Sequence, residues 1–145
     1  MGDGLKLKAM DAEEVSILSA AMEGAITSPG EISYSPKGRH FTMTCSRFMW
    51  EEKGDPAHRV RTGLFISDIL SAKRQNMPLI SDTAMELLSI EAAAGEDGVA
   101  DLTLSFAGGC TMVLSVECVD ITLTDAGDPW KTDVIPHHDL EKEQS

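Results

Sequence analysis

The chain has 145 residues, with 12 Lys and Arg against 24 Asp and Glu, and a formal net charge of −12 with His neutral. Apolar residues make up 42% and charged residues 25%, an ordinary globular balance that excludes global disorder. The length suits one domain able to bury a core without disulfide or metal staples, no apolar run approaches the ~20 residues of a membrane span, and the acidic total argues against nucleic acid as a partner.

Residues 5–9 alternate Leu, Lys, Leu, Lys, Ala and predict a short strand with its lysines outward. Asp11 followed by Glu14 forms a capping-box pattern, so a helix is expected over residues 11–25. Val15, Leu18, Met22 and Ala25 would make its apolar face, widened by Ile17 and Ala21. Ile32 to Tyr34 reads as a short strand, and Ser35-Pro36-Lys37-Gly38 as a turn. Phe41, Met43 and Cys45 then share one strand face, after which the apolar phase switches to Phe48 and Trp50. Such a switch predicts a bulge or a corner.

A loop with Gly54 and Pro56 leads into a strand expected over residues 60–72, with Gly63 as a kink. A loop holding Pro78 follows, then a strand over residues 85–93 with Leu88, Ile90 and Ala92 on one face. Gly95 to Gly98 reads as a turn. Leu102, Leu104 and Phe106 alternate cleanly into a Gly108-Gly109 hairpin turn, and Met112, Leu114, Val116 and Cys118 form the return strand. The phase shifts again at Val119, Ile121 and Leu123, and residues 125–129 are expected to break the structure.

The fold class implied is α+β: one N-terminal helix with a strongly bent, mostly antiparallel sheet of about seven strands, barrel-like or a folded-over sandwich. Residues 1–130 are expected to be the domain and residues 131–145 a polar acidic tail. With no export signal in the N-terminal residues, a cytoplasmic location is expected.

No phosphate-cradling Gly-rich loop, dinucleotide fingerprint, nucleophile elbow or paired-Cys metal motif occurs, so neither a catalytic set nor a cofactor or metal ligand set is predicted. Three free thiols are expected, with Cys45 and Cys118 in the core and Cys110, beside the glycine turn, exposed. His137-His138-Asp139 reads as solvated tail.

Charge is segregated. Residues 1–35 hold 2 basic and 6 acidic groups, residues 36–75 hold 8 and 4, and residues 76–145 hold 2 and 14. Arg39, Arg47, Arg59, Arg61 and Arg74 lie on or beside neighbouring predicted strands. They would form a basic strip that engages an acidic protein partner or a second copy of the chain. A non-enzymatic binding or scaffold domain follows from this. The alternative is a small-molecule or enzymatic pocket in the curved sheet near Trp50, Trp130 and His138.

The segments LKLKAMDAEEVSILSAAMEGAI, SRFMWE, RVRTGLFISDILSAK, LTLSFAGGCTMVLSVECVDITLTDAG and PWKTDVIPHHD, in this order and spacing, resemble the domain of unknown function 2948 family. Trp130, Pro136 and His138 match the Trp, Pro and His that this family keeps in its last block. The resemblance implies a bacterial, alphaproteobacterial protein of the cytoplasm. It implies no activity, cofactor or catalytic set.

Overall fold

A computed structural model describes residues 4–52, 54 and 56–136. Strand β1 (Lys6–Ala9) leads into helix α1 (Ala12–Met22), followed by β2 (Ile26–Thr27), a 3-10 turn at Pro29–Glu31, β3 (Ile32–Ser35) and β4 (His40–Phe48). The chain continues through β5 (Ala57–Ile66), β6 (Ile69–Gln75), β7 (Met85–Ala94), β8 (Ala100–Phe106), β9 (Thr111–Val116) and β10 (Ile121–Thr132). The strands form one 10-stranded sheet in the order β1-β10-β5-β4-β2-β7-β8-β9-β6, with β3 paired to β4 off this path. Every pairing is antiparallel. The sheet does not close, and it has ten strands where about seven were expected.

The helix starts where the capping pattern predicts. Asp11 accepts from the Glu14 N–H at 2.8 Å, and the Glu14 carboxylate accepts from the Met10 N–H at 2.8 Å. Val15, Leu18 and Met22 bury the face that packs on β7, β1 and β4. Ile17 does not widen it, being 61% exposed. The helix ends at Met22 rather than residue 25, because Gly24 takes a positive φ of 84° and turns the chain into β2.

Alternation builds the core. Phe41, Met43, Leu64, Ile66, Leu102, Leu104, Leu114, Ile121 and Leu123 all face inward from β4, β5, β8, β9 and β10, and they meet the helix in a single cluster. Among the described residues, no helix is long and apolar enough to cross a membrane.

Several expectations change. The β4–β5 register runs unbroken from Phe41↔Ile66 to Phe48↔Arg59, so the phase switch in β4 is not a bulge. Instead both faces of that strand end are covered. Gly63 is no kink either, since β5 pairs continuously through it on both sides. The break falls at Ser67-Asp68, where Asp68 has φ 61° and the chain leaves β4 and β10 to pair with β9.

The single strand expected from residue 60 is therefore two. In the same way, the phase shift after Val116 is a change of strand, not a bend within one. Residues 125–129 do not end β10; they are an irregularity between Ala126 and Trp130, beyond which pairing with β5 resumes to Thr132. In β7 a register shift between Leu87 and Ser89 puts Met85, Leu87 and Ile90 inward, in place of Leu88, Ile90 and Ala92. Ser19 of the helix accepts from the Ile90 N–H at 2.8 Å beside this shift.

Cys45 is buried as expected, but the other two thiols exchange places: Cys110 is buried and Cys118 exposed. Cys110 enters β9 in phase with Met112 and Leu114, whereas β9 has ended before Cys118.

Candidate functional site

The five arginines of the expected strip do not share one surface. Arg47 continues the inward phase of Phe41, Met43 and Cys45 and is fully buried. Its Nη2 lies 2.7 Å from Asp125 Oδ2 and 2.7 Å from Glu51 Oε2, and Nε donates to Asp125 Oδ1 at 3.0 Å. Nη1 donates to Glu51 Oε1 at 2.9 Å. Asp125 also accepts from the Thr62 hydroxyl at 2.8 Å and the Leu5 N–H at 2.9 Å.

Burial pushes the Arg47 pKa down, but the hydrogen bonds to Glu51 and Asp125 outweigh it and hold the group above its ordinary value. Burial alone would raise Asp125; the Arg47, Thr62 and Leu5 bonds hold it below 3.8 instead. Glu51 is lowered by its hydrogen bond from Arg47. This cluster ties β1, β4, β5 and β10 together and offers no cation to a partner.

Arg59 is also withdrawn, at 8% exposure. It donates to the Ser46 carbonyl at 2.9 Å and to the Gly24 carbonyl at 3.4 Å, and lies 5.8 Å from the centre of the Phe48 ring. Burial lowers its pKa. Arg61 is paired with Glu31, and Arg39 with Glu117.

Each tryptophan neighbours one member of the Arg59–Phe48 pair. Trp130 is its register partner across β10 and is 42% exposed. Trp50 donates Nε1–H to the Glu23 carbonyl at 2.8 Å and meets Phe48 edge-on at 4.7 Å. Pro136 is buried close to Gly24, beside Trp50. None of the five principal cavities among the described residues is lined by Trp50 or Trp130. His138 lies outside the described residues.

Arg74 stands apart. It sits on β6, which pairs with β9 on one side only. β3 likewise pairs with β4 alone. The two unpaired edges line one cleft of about 220 Å³, walled by Pro29, Ile32, Tyr34, Ala72, Met77 and Met112 with Lys73 and Arg74 at its rim.

Two backbone bonds fasten its ends: Ile69 N–H to the Arg39 carbonyl at 3.0 Å, and Gly30 N–H to the Ser81 carbonyl at 2.8 Å. Register fixes the side-chain directions. Arg74 lies opposite Met112 and Ala72 opposite Leu114, so both share the inward face, while Lys73 opposite Val113 points to the other. Among the described residues, no carboxylate pairs with Lys73 or Arg74. Leu70, Leu79 and Ile80, on β6 and the loop after it, are 52%, 101% and 67% exposed.

The family model for proteins of unknown function DUF2948 matches residues 5–138. The chain belongs to that family. The match spans β1 to Pro136, so both walls of the cleft lie within the DUF2948 region. Comparison with curated proteins and with solved structures found no match.

Of the residues the sequence singled out, this DUF2948 fold sets Trp50 and Arg59 on Phe48 and pairs Trp130 with Arg59, while Arg39, Arg47, Arg61 and Arg74 have separate partners and surroundings. Beside Arg74 and its sequence neighbour Lys73, which belongs to the same basic stretch of the sequence, it sets Ile32, Tyr34, Met77 and Met112, which sequence reasoning missed. The one available signal was the Lys73-Arg74 pair in a strand followed by exposed apolar residues.

Proposed function

We propose that the protein is a non-enzymatic binding domain that takes an acidic, partly apolar segment of a partner protein in the cleft between β3 and β6. The observation that carries this reading is the Lys73–Arg74 pair. The chain has twice as many acidic as basic residues, yet these two adjacent cations at an apolar cleft have no carboxylate partner among the described residues. Among the described residues Lys6, Lys37 and Lys131 also have none, but none of them lines this cleft. The apolar walls supply affinity through burial, and the cations select the sign of the ligand. At 0.1 M salt the screening length is about 10 Å, so the local pair outweighs the distant acidic surface.

The test is a fluorescence-anisotropy titration of the full chain with a labelled peptide of alternating Leu and Glu. The double variant Lys73→Glu, Arg74→Glu is expected to bind at least about tenfold more weakly, a loss of about 1.4 kcal/mol. Lys131→Glu, away from the cleft, is the control and is expected to bind as the parent does. Equal affinity of the double variant and the parent would refute the reading.

A further inference from the structure

The strands that wall the cleft also determine how a ligand would lie in it. We infer that the bound segment is extended and adds to the free edge of β6 as a further strand, with alternating apolar and acidic side chains. This rests on the reading of the cleft as a binding site for an acidic segment.

Three observations carry it. First, β6 is a seven-residue edge strand, and every second residue on an edge directs its N–H and C=O away from the sheet. Second, the facing strand β3 is also unpaired on its outer side, so the cleft is a gap in an otherwise continuous ladder rather than a pit between side chains. Third, the inward and outward faces of β6 differ. An added strand would set one row of side chains toward Ile32, Tyr34 and Met77 and the other beside Lys73, with Arg74 at the cleft mouth. A period-two peptide, apolar inward and acidic outward, matches that division.

Charge decides the occupant. A second copy pairing β6 to β6 about Lys73 and Arg74, where the cleft lies, would set like charges across the strand pair, which is destabilising. Edge lysines disfavour self-pairing in this way. An acidic strand from a different protein instead sets its outward carboxylates beside Lys73.

The probe is the alternating Leu-Glu peptide, compared with two copies in which alternate backbone N–H groups are methylated, one in each register. Methylation removes the donors and leaves the side chains unchanged. At least one register is expected to weaken binding tenfold or more, and the unmodified peptide is expected to slow amide hydrogen exchange in residues 71–75. Two methylated copies that bind as tightly as the parent peptide would overturn strand addition while leaving the binding cleft standing. No binding of any peptide would overturn both readings. Protection of residues 71–75 that rises with protein concentration in the absence of peptide would overturn the choice of partner, since a second copy would then hold the edge.

Discussion

Arg47 occupies the most polar position in the core and can be read as a stability device. Its guanidinium is shared between Asp125 and Glu51, and Asp125 has all its hydrogen-bonding needs met by Arg47, Thr62 and Leu5. Arg47→Met would leave Asp125, whose side chain is 1% exposed, buried without its cation. Breaking such a buried pair costs about 3–5 kcal/mol, to be read from urea unfolding at pH 7.

Both carboxylates have pKa values lowered in the folded state, so their contribution is present above the unfolded value and lost as pH falls through the folded one. The parent is therefore expected to lose stability as pH drops below the ordinary Asp value of 3.8, and Arg47→Met to lose less of it over the same interval.

The cysteines make a second residue-scale case. Burial pushes Cys45 up to about 12. Exposed Cys118 is raised by its hydrogen bond to Asp68, at 3.4 Å, so it is accessible but a poor nucleophile. Ellman's reagent should label one thiol of the native protein slowly, and Asp68→Asn should speed that reaction.

Elements were legible where periodicity alone forms them. The capped helix, the Gly108-Gly109 hairpin and the alternation of β8 and β9 follow from local patterns that tertiary contacts do not overrule. Arg47 was legible too, had phase been followed through polarity: 41, 43, 45 and 47 are one face. A reading by hydropathy alone moved the phase to Phe48 and left Arg47 on the surface. The shift in β7 was not legible, because it depends on Ser19, a residue of the helix, meeting the Ile90 N–H. Ser19→Ala would leave that N–H without its partner in a residue 1% exposed, a cost of about 1–3 kcal/mol measured by urea unfolding. At the other end of the helix, Gly24 has φ 84°, and an added Cβ would fall 2.6 Å from Pro136 Cβ. Gly24→Ala is expected to lower stability by at least about 1 kcal/mol from the backbone alone and to loosen the seating of Pro136.

For the whole molecule, the net charge of −12 describes the surface less well than the pairing within it. Arg39, Arg47 and Arg61 are neutralised by carboxylates, and Arg59 is held by backbone carbonyls over Phe48. Among the described residues, the arginines before β6 are thus structural, and Lys73 and Arg74 are two adjacent cations at a cleft with no carboxylate partner. That couple matters because β3 and β6 face each other across a gap. The gap arises from strand order, which no local pattern in either segment encodes.

Binding of an acidic segment in this gap is the function proposed above. Mapping amide chemical shifts of the labelled protein during titration with the alternating Leu-Glu peptide tests it most directly. Shifts are expected to concentrate at Ile32, Tyr34, residues 72–77 and Met112; shifts confined to the Trp130, Arg59 and Phe48 face, with the cleft unmoved, would rule out binding in the gap.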